Sequence, residues 1–141
     1  LFDYLNERTG TYVLCFDIVG LMRINDDISR EAGDKVILES LKRINSAAGE
    51  DMPVLRIGGD EFVMVTGLDD VEKVTKIAKA VMEKNGIETA YKGGTVPVSI
   101  RSGAVMIRKP LKYSMLCHDF DEVISFARND GEVHFAKAEQ R

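Results

Sequence analysis

Arg56-Ile57-Gly58-Gly59-Asp60-Glu61-Phe62-Val63 lies between two apolar runs, Val54-Leu55 with Ile57 on one side and Phe62-Val63-Met64-Val65 on the other. Runs this short and this rich in β-formers predict two strands. The Gly-Gly pair between them predicts the tight turn of a hairpin, with positive φ angles at the glycines. A turn does not need Asp60 and Glu61 at its tip. Carboxylates beside a backbone free of side chains suit an anionic ligand held through a metal, because glycine lets the ligand approach and the acids hold the cation. An ordinary turn with a solvated acidic tip accounts for the same residues, so the decision falls to the rest of the chain.

The chain has 141 residues, 45% hydrophobic and 30% charged, with a net charge of -4. That length supports one globular domain with a real core. The acidic balance argues against nucleic acid, and against direct contact with an anionic membrane surface, as the main partner. No apolar run approaches the roughly 20 residues of a membrane span, and no signal peptide opens the chain. Cys15 and Cys117 lie far apart in apolar surroundings and are expected to be buried thiols of a cytoplasmic protein, not a disulfide. With His118 and His134 they form no zinc-ligand pattern. Leu1-Phe2 reads as the middle of a helix, as expected of a single domain, residues 1–141, excised from a longer multidomain protein.

Along the chain, Leu1, Phe2 and Leu5 fall at helical spacing before Thr9-Gly10. Tyr12 to Val19 is a short apolar run of buried-strand type, and Asp17 is its anomaly. A carboxylate there is costly to bury unless it is paired or binds a cation; otherwise the strand emerges into solvent at that point. Asp34 is a candidate cap for a helix running to about Ala48, with Val36, Ile37, Leu41 and Ile44 on one face. Asp69 or Asp70 is expected to cap the next helix, which ends at Asn85-Gly86. Alternation from Val96 to Met106 predicts one long strand. A helix opened by Asp119 or Asp121 and a short edge strand at Val133-His134-Phe135 complete the pattern. The order, βααββαβ, predicts an α+β layered fold: a central mixed, mostly antiparallel sheet flanked by helices. If the first strand and the hairpin are neighbours, Asp17 and Asp60 converge at one end of the sheet and make a site for a hard cation.

Gly58-Gly59-Asp60-Glu61-Phe62 resembles the signature of GGDEF domains, the diguanylate cyclases of bacterial signalling that join two GTP into cyclic di-GMP. The resemblance extends through Asp17-Ile18-Val19-Gly20-Leu21-Met22-Arg23-Ile24-Asn25-Asp26, Gly33-Asp34, Pro97 to Gly103, Phe120-Asp121 and Ala127 to Gly131, essentially the whole chain. It implies a core like that of nucleotide cyclases and polymerase palm domains. It implies Mg²⁺ (or Mn²⁺) held by Asp17, Asp60, Glu61 and the Ile18 carbonyl, with Asp60 and Glu61 catalytic. Asn25 and Asp34 would hydrogen-bond guanine, Gly58 and Gly59 would let the triphosphate pass, and Arg128 would bind phosphate. The partners implied are GTP and a second copy of the same domain.

Departures from the family pattern point to weak phosphate binding. Met22 stands where a lysine is usual and Glu132 where an arginine is usual, whereas Arg128 replaces a lysine and keeps its charge. Val19 replaces a second aspartate and Ser125 a common tyrosine. The family's inhibitory Arg-x-x-Asp positions are Gly49 and Met52 here, so no product-inhibition site of that kind is expected. The resemblance is thus to a weak cyclase or, alternatively, to a degenerate GTP-binding regulatory or dimerisation module without turnover.

Overall fold

A computed structural model of the chain describes residues 2–109, 112–127 and 130–136. The chain runs α1 (Phe2–Asn6), β1 (Tyr12–Ile18), α2 (Leu21–Asp27), α3 (Arg30–Ala47), β2 (Val54–Arg56), β3 (Glu61–Val65), α4 (Val71–Met82), β4 (Thr89–Tyr91), β5 (Gly94–Val96), β6 (Ile100–Met106), α5 (Tyr113–Phe126) and β7 (Val133–Phe135). The main sheet has five strands in the order β2-β3-β1-β6-β7. β1 pairs antiparallel with both β3 and β6, β2 pairs antiparallel with β3, and β7 adds parallel to β6 at the edge. This is the mixed, mostly antiparallel α+β sheet expected from the order of elements.

The central strand explains the layering. Alternate side chains of β1 point to opposite faces of the sheet, and both sets are apolar. Leu14, Phe16 and Ile18 join Val36 and Ile44 of α3 and Val74, Ala78 and Val81 of α4 in one core. Val13 and Cys15 join Leu5 of α1 and Leu116, Phe120, Val123 and Ile124 of α5 in a second core on the opposite face. A strand covered on both faces reads as a continuous apolar run, which is how 12–19 reads. Gly103 on β6 lets the second layer close: a Cβ there would lie 2.6 Å from the Val123 side chain. Cys15 is buried and Cys117 half-buried, both as free thiols; burial, and secondarily the charge of Glu61, push the Cys15 thiol well above its ordinary pKa.

Several local expectations need correction. The expected cap of the second long helix, Asp34, lies inside α3, which starts four residues earlier, at Arg30; Ser29 is the cap and accepts from the Ala32 N–H at 3.0 Å. Asp70 does cap α4, accepting from Glu72 and Lys73. α5 begins at Tyr113, so Asp119 and Asp121 are interior helix residues and not its cap. The single long strand over 96–106 is two. β5 pairs with β4 in a separate hairpin and β6 enters the main sheet. Pro97 sits at the break, where a residue without an N–H cannot continue a ladder.

Arg43 joins three segments that the sequence pattern leaves unconnected. It is 4% exposed, and its guanidinium donates to the Lys84 carbonyl at 3.0 Å, the Ile87 carbonyl at 2.7 Å and the Val98 carbonyl at 3.5 Å. Its Nε donates to Glu39 one turn earlier on α3 at 3.3 Å. Arg43→Met removes the donors and leaves these carbonyls without them. It is expected to cost about 2 kcal/mol of folding stability, read from the urea midpoint, because hydrogen bonds from a charged donor are lost while the part-buried Lys84 and Ile87 carbonyls regain water.

Candidate active site

The site is built on one row of the sheet. In β1 Asp17 lies directly opposite Glu61 of β3 on one side and Arg101 of β6 on the other. Asp60 is brought beside them by the backbone: the Ile18 N–H donates to the Asp60 carbonyl at 2.9 Å, and the Ile57 N–H donates to the Glu61 carbonyl at 3.0 Å to close the turn. Carboxylate oxygens of Asp17, Asp60 and Glu61 then lie within 4.8 Å of one another. Asp17 does not emerge into solvent; it is 4% exposed.

The hairpin turn differs from the expected one. Gly58 and Gly59 do not have positive φ angles. The turn is held by Arg56, whose Nε donates to the Gly58 carbonyl at 3.0 Å and whose Nη2 donates to the Gly59 carbonyl at 2.7 Å. What the glycines supply is space. A Cβ at Gly59 would meet nothing within 4 Å, and one at Gly58 would meet only the Glu61 Cβ at 3.8 Å. The surface over the turn is therefore open backbone next to carboxylates.

Crowding acids at a sheet end has an electrostatic consequence. Burial raises the Asp17 carboxyl from its ordinary 3.8 to about 6; the hydrogen bond from Arg101 opposes the rise and the Asp60 charge adds to it. Burial also raises Glu61, helped by the charges of Asp60 and Asp121 and opposed by Arg101. Arg101 Nε donates to Asp17 Oδ2 at 2.6 Å. The donor set fits a hard divalent cation: three carboxylates, oxygen only, with no thiol or imidazole among them.

Asn25 and Asp34 come together on the α2–α3 pair. Asn25 is half-buried on α2, and its side chain covers Gly33, where a Cβ would overlap the Asn25 amide. Asp34 is the next residue of α3 and is exposed. Met22, on the first turn of α2, is 76% exposed. Glu132 forms an exposed ion pair with Lys79 of α4 at 3.3 Å. Arg128 lies outside the described residues. Gly49 and Met52 face each other across a short turn, with the Gly49 N–H on the Met52 sulfur at 3.3 Å. Arg56, Arg101 and Asp121 were not anticipated as part of the site. The only signal available for them was proximity in sequence to the hairpin for Arg56, and for Arg101 a charge within an otherwise apolar strand.

These features define a layered α+β domain with an acidic hairpin at the end of its central strand. The chain belongs to the GGDEF family: the family described as "Diguanylate cyclase, GGDEF domain" matches residues 3–134. Its fold is similar to the GGDEF domain of TpbB (YfiN) from Pseudomonas aeruginosa, at 28% identity and a TM-score of 0.80 over 96% of this chain and 83% of that one. It is also similar in fold to DgcB of Caulobacter crescentus, solved in complex with c-di-GMP, at 21% identity and a TM-score of 0.71 over 96% of this chain and 88% of that one. Among curated proteins it is 26% identical to an uncharacterised membrane protein of Staphylococcus aureus over 129 residues, which are 89% of this chain and 36% of that protein. The chain thus spans 36% of the length of that relative. No helix among the described residues is long and apolar enough to cross a membrane.

The raised Asp17 carboxyl makes a prediction about stability. Its folded pKa lies above its unfolded value, so its contribution is fully present below 3.8 and is lost as pH rises through about 6. Asp17→Asn keeps the shape of the neutral form, and the Arg101 head group, 34% exposed, rehydrates readily. In metal-free buffer the variant is expected to be more stable than the parent by about 2 kcal/mol above the window, with the gain vanishing at acid pH. Urea unfolding at a series of pH values checks this; a gain independent of pH contradicts it.

Proposed function

We propose that this domain is a diguanylate cyclase that condenses two GTP into cyclic di-GMP and pyrophosphate, with low activity, as a two-fold dimer in the cytoplasm. The observation that supports it best is the convergence of Asp17, Asp60 and Glu61 within 4.8 Å beneath an open glycine turn. Asp17, Asp60, Glu61 and the Ile18 carbonyl are the groups to hold Mg²⁺ or Mn²⁺. When bound, the cation supplies charge neutralisation at the α-phosphate and a lower pKa for the attacking hydroxyl.

The remaining chemistry belongs to the chain. Gly58 and Gly59 leave room for the triphosphate. Asn25 offers a donor and an acceptor to guanine, and Asp34 accepts from its N1–H and amino group. Arg128 carries the one retained phosphate-binding charge of the final segment. In each half-reaction a ribose 3′-oxygen forms a bond to the α-phosphorus of the other GTP, and the bond to the β-phosphate bridging oxygen breaks, releasing pyrophosphate. Glu61, directly opposite Asp17 in the acidic row, is the further carboxylate available to help activate the attacking hydroxyl. Two such bonds must form symmetrically, so two domains face each other, each holding one GTP.

A degenerate module that binds GTP without turnover is favoured by one observation. Among the described residues, Met22 and Glu132 offer no positive charge where the family pattern has cations: Met22 is exposed and uncharged, and Glu132 pairs with Lys79. Neither reading includes feedback at the inhibitory positions, where Gly49 and Met52 offer no ionic groups.

Incubating a dimerised form with GTP and Mg²⁺ tests the cyclase reading. Slow formation of cyclic di-GMP is expected, abolished by Asp60→Asn; no product at high enzyme concentration overturns it. Met22→Lys is expected to tighten GTP binding about tenfold by calorimetry, the equivalent of one charge-assisted contact. Unchanged affinity would remove the weak-clamp explanation.

A further inference from the structure

The acidic cluster already has a cation. Among the described residues Arg101 is the basic side chain ion-paired to it, with Nε 2.6 Å from Asp17 Oδ2. β6 sets this pairing by register, since Arg101 stands directly across from Asp17. Asp17 is 5% exposed at its side chain, whereas Arg101 is 34% exposed. One partner is therefore fixed and the other has a route to solvent. The second anchor of the guanidinium is weak, a 3.4 Å contact from Nη1 to the Ala127 carbonyl at the end of α5.

The geometry points to Arg101 as a tethered counter-cation that occupies Asp17 in the metal-free domain and must be displaced, or tolerated at a cost, when a divalent cation enters. The inference rests on the reading of Asp17, Asp60 and Glu61 as the cation site. Two physical effects favour competition over cooperation. The Asp17 oxygen nearest Arg101 is already engaged by a short charge-assisted bond, and such bonds are about twice as strong as neutral ones. A divalent ion on the other carboxylate oxygens would also sit within a few ångströms of the guanidinium, where like charges repel strongly in a partly desolvated site.

Arg101 does not simply block the site. Three carboxylates within 4.8 Å repel one another, and the guanidinium relieves part of that repulsion at both Asp17 and Glu61. Among the described residues, Arg101 is the basic side chain ion-paired to Asp17, and removing it removes that counter-charge. Arg101 thus stabilises the empty site and weakens the loaded one, setting the concentration at which the cation binds. The outcome is a positioning residue whose effect is on metal affinity before any nucleotide arrives.

The test uses Mn²⁺ alone, without nucleotide, and the whole chain. Binding is measured by electron paramagnetic resonance and thermal unfolding is followed with and without the ion. For Arg101→Ala the expected result is Mn²⁺ binding tighter by about tenfold or more, the factor for one charge-assisted contact. In metal-free buffer the same variant is expected to melt lower, and to gain more in Tm from Mn²⁺ than the parent does. Arg101→Gln, which keeps bulk and a donor but no charge, is the second variant should alanine fail to fold, and the same tightening is expected. Arg101→Lys keeps the charge and is expected to stay close to the parent. Equal or weaker Mn²⁺ binding in both neutral variants overturns the role of Arg101 while leaving the cation site intact. No Mn²⁺ binding by the parent or any variant overturns the cation site itself, and Arg101's role with it.

Discussion

A carboxylate buried at the end of the central strand is the constraint on which the site depends. Asp17 sits between two fully apolar faces, and its charge has to be met within its own row of the sheet. The row provides one partner: Arg101 on one side meets the charge, while Glu61 on the other is a second carboxylate. Register determines this and is itself held by the cores. Because side chains alternate, slipping β1 by one residue would turn Leu14, Phe16 and Ile18 away from α3 and α4 and point Asp17 into that layer. The same apolar pattern that folds the sheet therefore aligns the acids.

The turn uses a different means to the same end. Its glycines contribute an absence of side chains, and the conformation is held by Arg56 on the two glycine carbonyls. Backbone and carboxylates are thus presented together at one end of the sheet, while on the α2–α3 pair Asn25 covers Gly33, the residue before Asp34. The sheet end and the helix pair are separate supports: one carries charge, the other carries directional hydrogen-bonding groups.

Much of this was legible in the sequence. Periodicity found α4 and narrowed its cap to Asp69 or Asp70, the buried run found β1, and the anomaly of Asp17 with Asp60-Glu61 pointed to the acidic cluster. The misses share a cause. Arg101 is separated from Asp17 by 84 positions, and nothing local to either residue encodes their pairing. Arg43 likewise binds carbonyls more than forty residues away. One local expectation fails at a helix start: the cap is Ser29 and not Asp34, because α3 begins early enough to pack Ala32 as well as Val36 into the core. The period of two runs on through Pro97, but a residue without an N–H ends the ladder there, and β5 and β6 belong to different sheets.

The distribution of charge gives the retained and altered positions a common logic. The acids of the hairpin and β1 stand together at the sheet end, while Met22 carries no charge and the negative charge of Glu132 is met by Lys79 of α4. Arg101 is the exception, a cation placed inside the acidic row. In a site with ample external cations such an arginine would be redundant. Where external cations are few, an internal one keeps the acids from repelling each other in the absence of ligand, at the expense of affinity for a metal. The proposed role of Arg101 follows from that placement: its short ion pair with Asp17, aligned by the fold, competes with a divalent cation for the same carboxylate.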